Sequence, residues 1–255
     1  MTIRLAYVTT VPDTQWEFLR GQNAYLAEHG FELHSIASPG DRLNDLAIRD
    51  DATPHAIPIS RNISPIADFA SLIRLYRLFG QIKPDMIHVS TSKAAVLGAL
   101  AGWLARVPLR VFLIRGLASE EASGLKRKAF RLCERLAVRL CHASICVAPS
   151  LLTYAREQRI LGPDEGTVMA NGMSNGVDPI RFDPRTTRPV DLSRWLDPQI
   201  TAAPRTIIGY VGRLAMKKGL AEIVEMWKVI REAHPDTLLL LVGPWESVDD
   251  RAQAL

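Results

Sequence analysis

The sequence has few cysteines, and none stands in a metal-binding or disulfide pattern. The three that occur, Cys133, Cys141 and Cys146, form no C-x-x-C pair and are odd in number. Zinc sites and disulfide frameworks both need paired or regularly spaced cysteines. The sequence therefore argues against a zinc site and a disulfide scaffold. We expect reduced, buried thiols and no bound metal.

Long apolar segments are also absent. The longest, residues 94–105, lies between Lys93 and Arg106 and spans 12 residues. A membrane-spanning helix needs about 20 apolar residues, so this segment is better explained as a buried helix. Residues 2–10 have a strand pattern directly after Met1, without the basic region, apolar core and cleavage site of a secretory signal. We therefore expect a cytoplasmic protein.

Two nucleotide-binding signatures and the nucleic-acid motifs are missing as well. The first predicted strand runs into residues 8–14, which contain no glycine for a pyrophosphate turn, and there is no Walker lysine loop. The net charge of +4 and the pI near 9.1 fit anionic partners in general. No aromatic-basic motif or zinc spacing accompanies this charge, so the sequence favours neither a nicotinamide dinucleotide enzyme nor a nucleic-acid-binding protein.

What the sequence does contain is a regular alternation of apolar strand patterns and helical patterns. Hydrophobic residues make up 47% of the chain and charged residues 23%, as in ordinary globular proteins. The predicted strands are 3–9, 32–37, 55–59, 86–90, 110–114, 143–147 and 167–169, and the predicted helices are 16–29, 66–81, 93–105, 124–140 and 150–159. This alternation predicts an α/β fold, a doubly wound parallel sheet with its ligand crevice at the carboxyl ends of the strands.

The chain changes character after residue 178. Residues 179–205 contain five prolines and few apolar repeats, which is typical of a linker. A second strand, helix and strand are predicted at 206–211, 220–233 and 237–242. The predicted organisation is therefore an N-terminal Rossmann-like domain at 1–178, a linker at 179–205 and the start of a second Rossmann-like domain at 206–255.

The turn between the predicted strand 206–211 and helix 220–233 is the most informative motif. It carries Gly212, Arg213, Lys218 and Gly219. Such a turn presents backbone N–H groups and the positive end of a helix dipole, which suits an anion such as a diphosphate. Arginine grips phosphate oxygens through a planar fork, and lysine acts as a mobile point charge. A plain turn with two solvated cations is the alternative, and the spacing alone does not exclude it.

Five segments form a series along the chain. They are residues 20–32, which open with Arg20-Gly21-Gln22, and residues 85–94, 114–117, 171–182 and 211–219. In this order they resemble landmarks of the family-4 retaining glycosyltransferases. The resemblance is nearest to the branch that builds capsule, O-antigen or glycoprotein sugars on a lipid-diphosphate carrier, and it covers most of the chain.

This resemblance implies a GT-B enzyme with two Rossmann-like domains facing across a cleft. The N-terminal domain would bind the acceptor and the C-terminal domain a nucleotide sugar, usually a UDP-sugar, without an obligatory metal or other cofactor. Arg213 and Lys218 match the catalytic cations that stabilise the leaving diphosphate, with Gly212 and Gly219 in the donor-binding turn. The sugar would be transferred with retention, and no covalent nucleophile is required.

The resemblance also places an acceptor site at the ends of the N-terminal strands. The residues assigned to it are Lys93, Arg115, His88, Ser90, Asn171 and Asn175. Lys93 and Arg115 would hold a phosphate of a lipid-linked acceptor. Many relatives have a histidine near the position of Arg115, whereas this chain has arginine. The alternatives are a solvated lysine at a helix end, a satisfied core histidine at His88, and a cleft-lining hinge at 171–175.

The predicted helix 124–140 is amphipathic. Its apolar stripe consists of Leu125, Ala129, Leu132, Cys133, Leu136 and Leu140, while five basic residues, Arg127, Lys128, Arg131, Arg135 and Arg139, lie mostly on other faces. Such a basic face fits an anionic membrane surface, at the inner side of the cytoplasmic membrane. An ordinary packed helix with solvated arginines is the alternative.

In the family that the chain resembles, further βα units follow the position of Glu246, and they include an acidic motif with two glutamates. The chain ends at Leu255, so we expect an incomplete C-terminal domain. Its last fifty or so residues would pack on the N-terminal domain, be completed by a partner chain or by self-association, or remain loosely ordered. Two other functions remain open at this point: a UDP-sugar epimerase of the same GT-B fold, and a non-catalytic acceptor-binding subunit.

Overall fold

The computed structural model describes residues 2–60, 64–173, 176–188, 191 and 206–245. The chain divides into two compact units, Met1–Phe182 and Asp183–Leu255. The first unit contains a seven-stranded sheet, and the second contains a two-stranded sheet. Most of the predicted linker, 179–205, lies outside the described residues, so its boundaries stay a prediction.

All seven strands predicted for the first unit are present, with their ends shifted by a few residues. They are β1 (Ile3–Val8), β2 (Phe31–Ala37), β3 (Thr53–Ala56), β4 (Met86–Ser90), β5 (Leu109–Ile114), β6 (Ala143–Cys146) and β7 (Thr167–Val168). Every pair of neighbours is parallel, in the order β3-β2-β1-β4-β5-β6-β7. The predicted doubly wound class is confirmed. The strand order reverses between β1 and β4, which is where such sheets bind ligands.

The helices of this unit follow the strands. They are α1 (Pro12–Phe18), α2 (Gln22–Glu28), α3 (Asp41–Asp50), α4 (Pro65–Ile82), α5 (Ser92–Leu104), α6 (Ala118–Glu121), α7 (Gly124–Leu140) and α8 (Pro149–Glu157). The single helix predicted at 16–29 is wrong, because the chain breaks between α1 and α2 at Gly21, whose φ of +78° favours glycine. Helices α3 and α6 are additional to the prediction.

The hydrophobic core lies on both faces of the sheet. Ala6 and Val8 of β1 point to the face covered by α4, α5, α7 and α8, whereas Leu5 and Tyr7 point to the face covered by α2. Helix α5 fits so closely that a β-carbon at Gly98 would lie 2.8 Å from Cγ1 of Val89. This close approach confirms the prediction that the apolar segment 94–105 is a buried helix.

Helix α7 has the predicted bounds, but the predicted division into a buried apolar face and an exposed basic face holds only in part. Much of the apolar stripe is exposed: Leu125 is 83% exposed, Leu132 67% and Leu136 40%. Arg127, Arg131 and Arg135 are instead half-buried against neighbouring elements. The predicted solvent-facing basic surface is therefore wrong for these three arginines, whereas its other two members, Lys128 and Arg139, are exposed as predicted. The thiols also differ from expectation, since Cys133 is exposed and only Cys146 is fully buried.

The second unit contains β8 (Thr206–Val211), α9 (Leu220–Ala233) and β9 (Thr237–Val242), with the bounds predicted from the sequence. Strands β8 and β9 are parallel, as expected for a βαβ unit. Leu214 and Leu220 form a small buried cluster beside the turn that follows β8. In the described part of the chain, no helix is long and apolar enough to cross a membrane.

Candidate functional site

The carboxyl edge of the first sheet carries three threonines at the point where the strand order reverses. Thr9 and Thr10 follow β1, and Thr91 follows β4. The backbone N–H of Thr10 donates to Oγ1 of Thr91 at 3.1 Å, and the two hydroxyl oxygens are 2.8 Å apart. Thr91 has a φ of +68°, which is strained for a β-branched residue. These threonines were missed by sequence reasoning, although their position after β1 and β4 was a usable signal.

Arg115 lies at the same edge, directly after β5. Its Nη1 donates to Oγ of Ser90 at 2.9 Å, and that hydroxyl donates to the carbonyl of Leu113 at 3.1 Å. The guanidinium carbon stands 5.1 Å from the centroid of the Phe18 ring, within cation–π range. Burial lowers the pKa of Arg115 to about 10, so the side chain stays charged near neutral pH. The structure therefore brings two predicted residues, Arg115 and Ser90, into contact.

His88 lies on β4, two residues before Ser90 and therefore on the same face of the sheet. Its ring centroid is 5.1 Å from that of Tyr7, whose hydroxyl accepts a hydrogen bond from Nε2 of Gln22 at 3.1 Å. Burial, assisted by the positive charge of Arg115, lowers the pKa of His88 to about 4. Burial also raises the pKa of Tyr7. Both rings are therefore uncharged near neutral pH. Nε2 of His88 has no hydrogen-bond partner among the described residues, so His88 is buried but not fully satisfied.

Lys93 occupies the first turn of α5, as predicted, but it is not a solvated helix-end lysine. Its Nζ donates to the two carboxylate oxygens of Asp68 on α4, at 2.7 and 3.0 Å. The two side chains are only 18% and 20% exposed. Any phosphate at this position would therefore meet an ammonium group that already has a carboxylate neighbour.

The asparagines of the predicted acceptor site lie in the segment after β7. Asn171 is exposed, and it precedes Gly172, whose φ is +84° and whose β-carbon would lie 2.8 Å from the carbonyl oxygen of Val147. The N–H of Met173 donates to the same carbonyl at 2.7 Å. This turn is thus held against the end of β6. Asn175 lies outside the described residues.

The predicted donor turn of the second unit connects β8 to α9. A short 3-10 helix, Met216–Lys218, separates Gly212 and Arg213 from the start of α9. Gly219 ends that helix with a φ of +78°, in the left-handed region that favours glycine. The side chains of Arg213 and Lys218 are exposed, whereas Leu214 is buried beneath the turn. Two cationic side chains therefore lie exposed on one loop.

The end of β9 supports this loop. The N–H of Gly212 donates to the carbonyl of Val242, and that of Leu214 donates to the carbonyl of Pro244, each at 2.9 Å. A β-carbon on Gly243 would lie 1.8 Å from the carbonyl oxygen of Gly212, so the close approach requires glycine. In the described residues, no group of three or more His, Cys, Asp or Glu side chains is arranged to hold a metal ion.

Two relatives are similar to the chain over most of its length. The capsular polysaccharide biosynthesis glycosyltransferase CapM of Staphylococcus aureus is 28% identical over 229 residues, which cover 90% of this chain and 58% of CapM. The UDP-Gal:alpha-D-GlcNAc-diphosphoundecaprenol alpha-1,3-galactosyltransferase of Escherichia coli is 30% identical over 234 residues, covering 88% of this chain and 57% of that enzyme. The chain thus spans less than three fifths of the length of either relative.

Among solved structures, Anabaena Alr3699/HepE in complex with UDP has a similar fold. The TM-score is 0.70 at 17% identity, with 100% of this chain and 64% of HepE covered. At this identity the likeness shows the GT-B fold alone. The model of the glycosyl transferase 4-like domain matches residues 15–172, more than half of the sequence and most of the first unit. The chain belongs to the glycosyl transferase 4-like domain family.

Proposed function

We propose that this chain acts in a retaining glycosyltransferase that moves a sugar from a UDP-sugar to a lipid-diphosphate-linked glycan acceptor. The pathway would be bacterial polysaccharide or glycoconjugate synthesis. The observation that carries the proposal is the charged guanidinium of Arg115, held on Ser90 and Phe18 at the carboxyl edge of the family domain. The Escherichia coli relative, whose name specifies a UDP-sugar and a diphosphate-linked lipid, supports the two substrates.

On the acceptor side, Arg115 would bind the diphosphate. Arginine donates two parallel hydrogen bonds to phosphate, and its charge is worth more where burial excludes water. Ser90 and Phe18 hold the guanidinium in place, so little side-chain freedom remains to be lost on binding. Lys93 would contribute charge from the first turn of α5, with Asp68 orienting its ammonium group.

On the donor side, Arg213 and Lys218 would stabilise the diphosphate that leaves the sugar. Both are exposed on the turn after β8, where Gly212 and Gly219 shape the backbone. Charge stabilisation of a leaving group needs cations placed in advance, and the turn is fixed by its hydrogen bonds to β9. The proposed chemistry uses no metal and no further cofactor, and it includes no covalent intermediate.

Binding measurements test the two halves of this proposal separately. For the acceptor side, we expect Arg115→Ala to weaken geranyl diphosphate binding by a factor of ten or more, on the order of a lost charge-assisted contact. Arg77→Ala is the matched control, because Arg77 is exposed at the other end of α4. Equal affinities of the two variants would remove Arg115 from the acceptor site.

For the donor side, UDP is the probe. Arg213→Ala and Lys218→Ala should each weaken UDP binding, while Arg231→Ala, exposed in the last turn of α9, should not. The losses should shrink at high salt because exposed charges are screened. In a transfer assay with UDP-galactose and a prenyl-diphosphate-linked sugar, conversion of the UDP-sugar without an acceptor would favour an epimerase instead.

We further propose that α7 binds the inner face of the cytoplasmic membrane, through its exposed leucines and exposed basic residues rather than through the half-buried Arg127, Arg131 and Arg135. Leu125 and Leu132 are strongly exposed, and the exposed Lys126, Lys128 and Arg139 are placed on the same helix. A helix with exposed leucines beside basic residues suits the surface of an anionic bilayer. Such an orientation would bring the protein to a lipid-linked acceptor.

Flotation with vesicles of phosphatidylglycerol and phosphatidylethanolamine tests this orientation. Leu125→Ser with Leu132→Ser should reduce the bound fraction severalfold. Ile48→Ser is the matched control, since Ile48 is 88% exposed on α3, away from α7. Equal flotation of the α7 variant and the unaltered protein would refute membrane binding by this helix.

A further inference from the structure

Glu134 on α7 is a buried carboxylate that the proposed function does not use. It is only 2% exposed. Its Oε1 accepts a hydrogen bond from the backbone N–H of Ser119 at 3.2 Å, and its Oε2 accepts one from Oγ of Ser119 at 2.7 Å. Burying a carboxylate is costly unless it is well bonded. The burial of Glu134 therefore calls for a structural explanation.

The bonds of Glu134 fix the segment that begins with Arg115. This segment joins β5 to α7, and α6, which contains Ser119, forms its middle. Nε of Arg127 donates to the carbonyl of Ser119 at 3.1 Å, so α7 holds both the N–H and the C=O of one residue. Leu117, between Arg115 and Ser119, is buried at 4% exposure. The segment is therefore anchored only a few residues beyond the guanidinium.

We propose that Glu134 is a positioning residue for Arg115, acting through Ser119. It does not touch the acceptor; it fixes the backbone from which Arg115 reaches Ser90. The inference rests on the proposed acceptor role of Arg115. A loosened segment would let the guanidinium leave its place beside Phe18, and the diphosphate would then have to order it on binding.

Two substitutions at Glu134 separate positioning from simple loss of a side chain. Glu134→Gln keeps both contacts, because its carbonyl accepts from the Ser119 N–H and its amide donates to the hydroxyl. Glu134→Leu has a similar volume and removes both. With geranyl diphosphate as the probe, we expect Glu134→Leu to weaken binding by about tenfold, a typical coupling within one network. Glu134→Gln should stay within about twofold of the unaltered protein.

A double-mutant cycle provides the readout that a purely structural role would not change. In the Arg115→Ala background, Glu134→Leu should have no further effect on geranyl diphosphate binding. The side-chain Nε–H resonance of Arg115 should also move in Glu134→Leu and return in Glu134→Gln. Should Glu134→Leu not fold, Ser119→Ala removes one of the two bonds and should weaken binding by a smaller factor.

A control for global stability comes from the opposite edge of the sheet. Leu161→Ala opens a cavity after the end of α8 and should destabilise the unit without changing binding. If Arg115→Ala binds normally, the proposed acceptor role fails. If Arg115→Ala weakens binding but Glu134→Leu does not, or weakens it equally in both backgrounds, only the positioning role of Glu134 fails.

Discussion

The buried His88 makes the stability of the first unit depend on pH in a calculable way. The side chain is 8% exposed, and burial together with Arg115 lowers the pKa of its imidazole from 6.5 to about 4. Above the ordinary pKa both states hold a neutral ring, so His88 contributes no pH dependence there. As the pH falls below 6.5, the imidazole of His88 binds a proton in the unfolded chain, whereas in the folded chain it stays neutral until the pH approaches about 4. Stability is therefore lost on acidification.

The size of the effect follows from the two pKa values. A pKa difference of one unit is worth about 1.4 kcal/mol, so the gap from 6.5 to about 4 costs about 3 kcal/mol once both states have titrated. At about pH 5 the unfolded state is almost fully protonated at this site, and the loss is about 2 kcal/mol. For a protein of ordinary stability this is a large share of the total.

Urea unfolding at a series of pH values measures this loss, with His88→Phe as the reference. Phenylalanine preserves a ring against Tyr7 and cannot titrate. His34 and His55 also have pKa values lowered by burial, so both proteins should lose stability in acid, but His88→Phe should lose about 2 kcal/mol less by about pH 5. Parallel pH curves would refute the reasoning, as would an NMR titration of the His88 ring near its ordinary pKa.

Three other substitutions test separate parts of the structure. Gly243→Ala should abolish UDP binding and the thermal transition of the second unit, because its β-carbon would lie 1.8 Å from the Gly212 carbonyl oxygen; an unchanged transition would contradict this. Gly172→Ala should cost about 2 kcal/mol or more in urea unfolding, through its positive φ and the Val147 carbonyl. Arg135→Ala should cost about 1 kcal/mol, because the guanidinium donates to the carbonyls of Gln158 and Arg159, just after α8; an unchanged urea midpoint would show that these bonds do not stabilise the fold.

The sheet and most of the helices could be predicted from the sequence because their signals are local. Apolar strand patterns that alternate with helical patterns predict a parallel sheet, and the carboxyl ends of parallel strands lie at one edge of that sheet. Together with the family resemblance, that rule assigned Ser90 and Arg115 to one site, and the structure shows them in contact. The break at Gly21 was missed because the apolar pattern continues across it. The turn between β8 and α9 was predicted with its bounds because the strand and helix patterns on either side are local, and its role in donor binding stays a prediction.

The partners of charged side chains were not predictable, since they come from distant parts of the chain. Lys93 pairs with Asp68 on another helix. Arg127 contacts Tyr154, and Arg131 contacts Gln158, both on or next to α8. An amphipathic pattern gives the two faces of a helix but not which face is covered. For α7 the covered face carries arginines, because the side chains of Tyr154 and Gln158 and the carbonyls of Gln158 and Arg159 offer acceptors there.

The charge state around Arg115 follows from the same burial that perturbs its neighbours. Burial disfavours the charged form of both neighbouring rings. It lowers the pKa of His88 and raises that of Tyr7, so the imidazole is deprotonated and the phenol protonated near neutral pH. Arginine resists this penalty because its pKa starts far above neutrality, and even at about 10 it remains a cation. Ser90, His88, Tyr7 and Phe18 thus surround Arg115 with uncharged groups near neutral pH. A histidine at this position would lose its charge on burial, as His88 does, whereas Arg115 retains its positive charge near neutral pH.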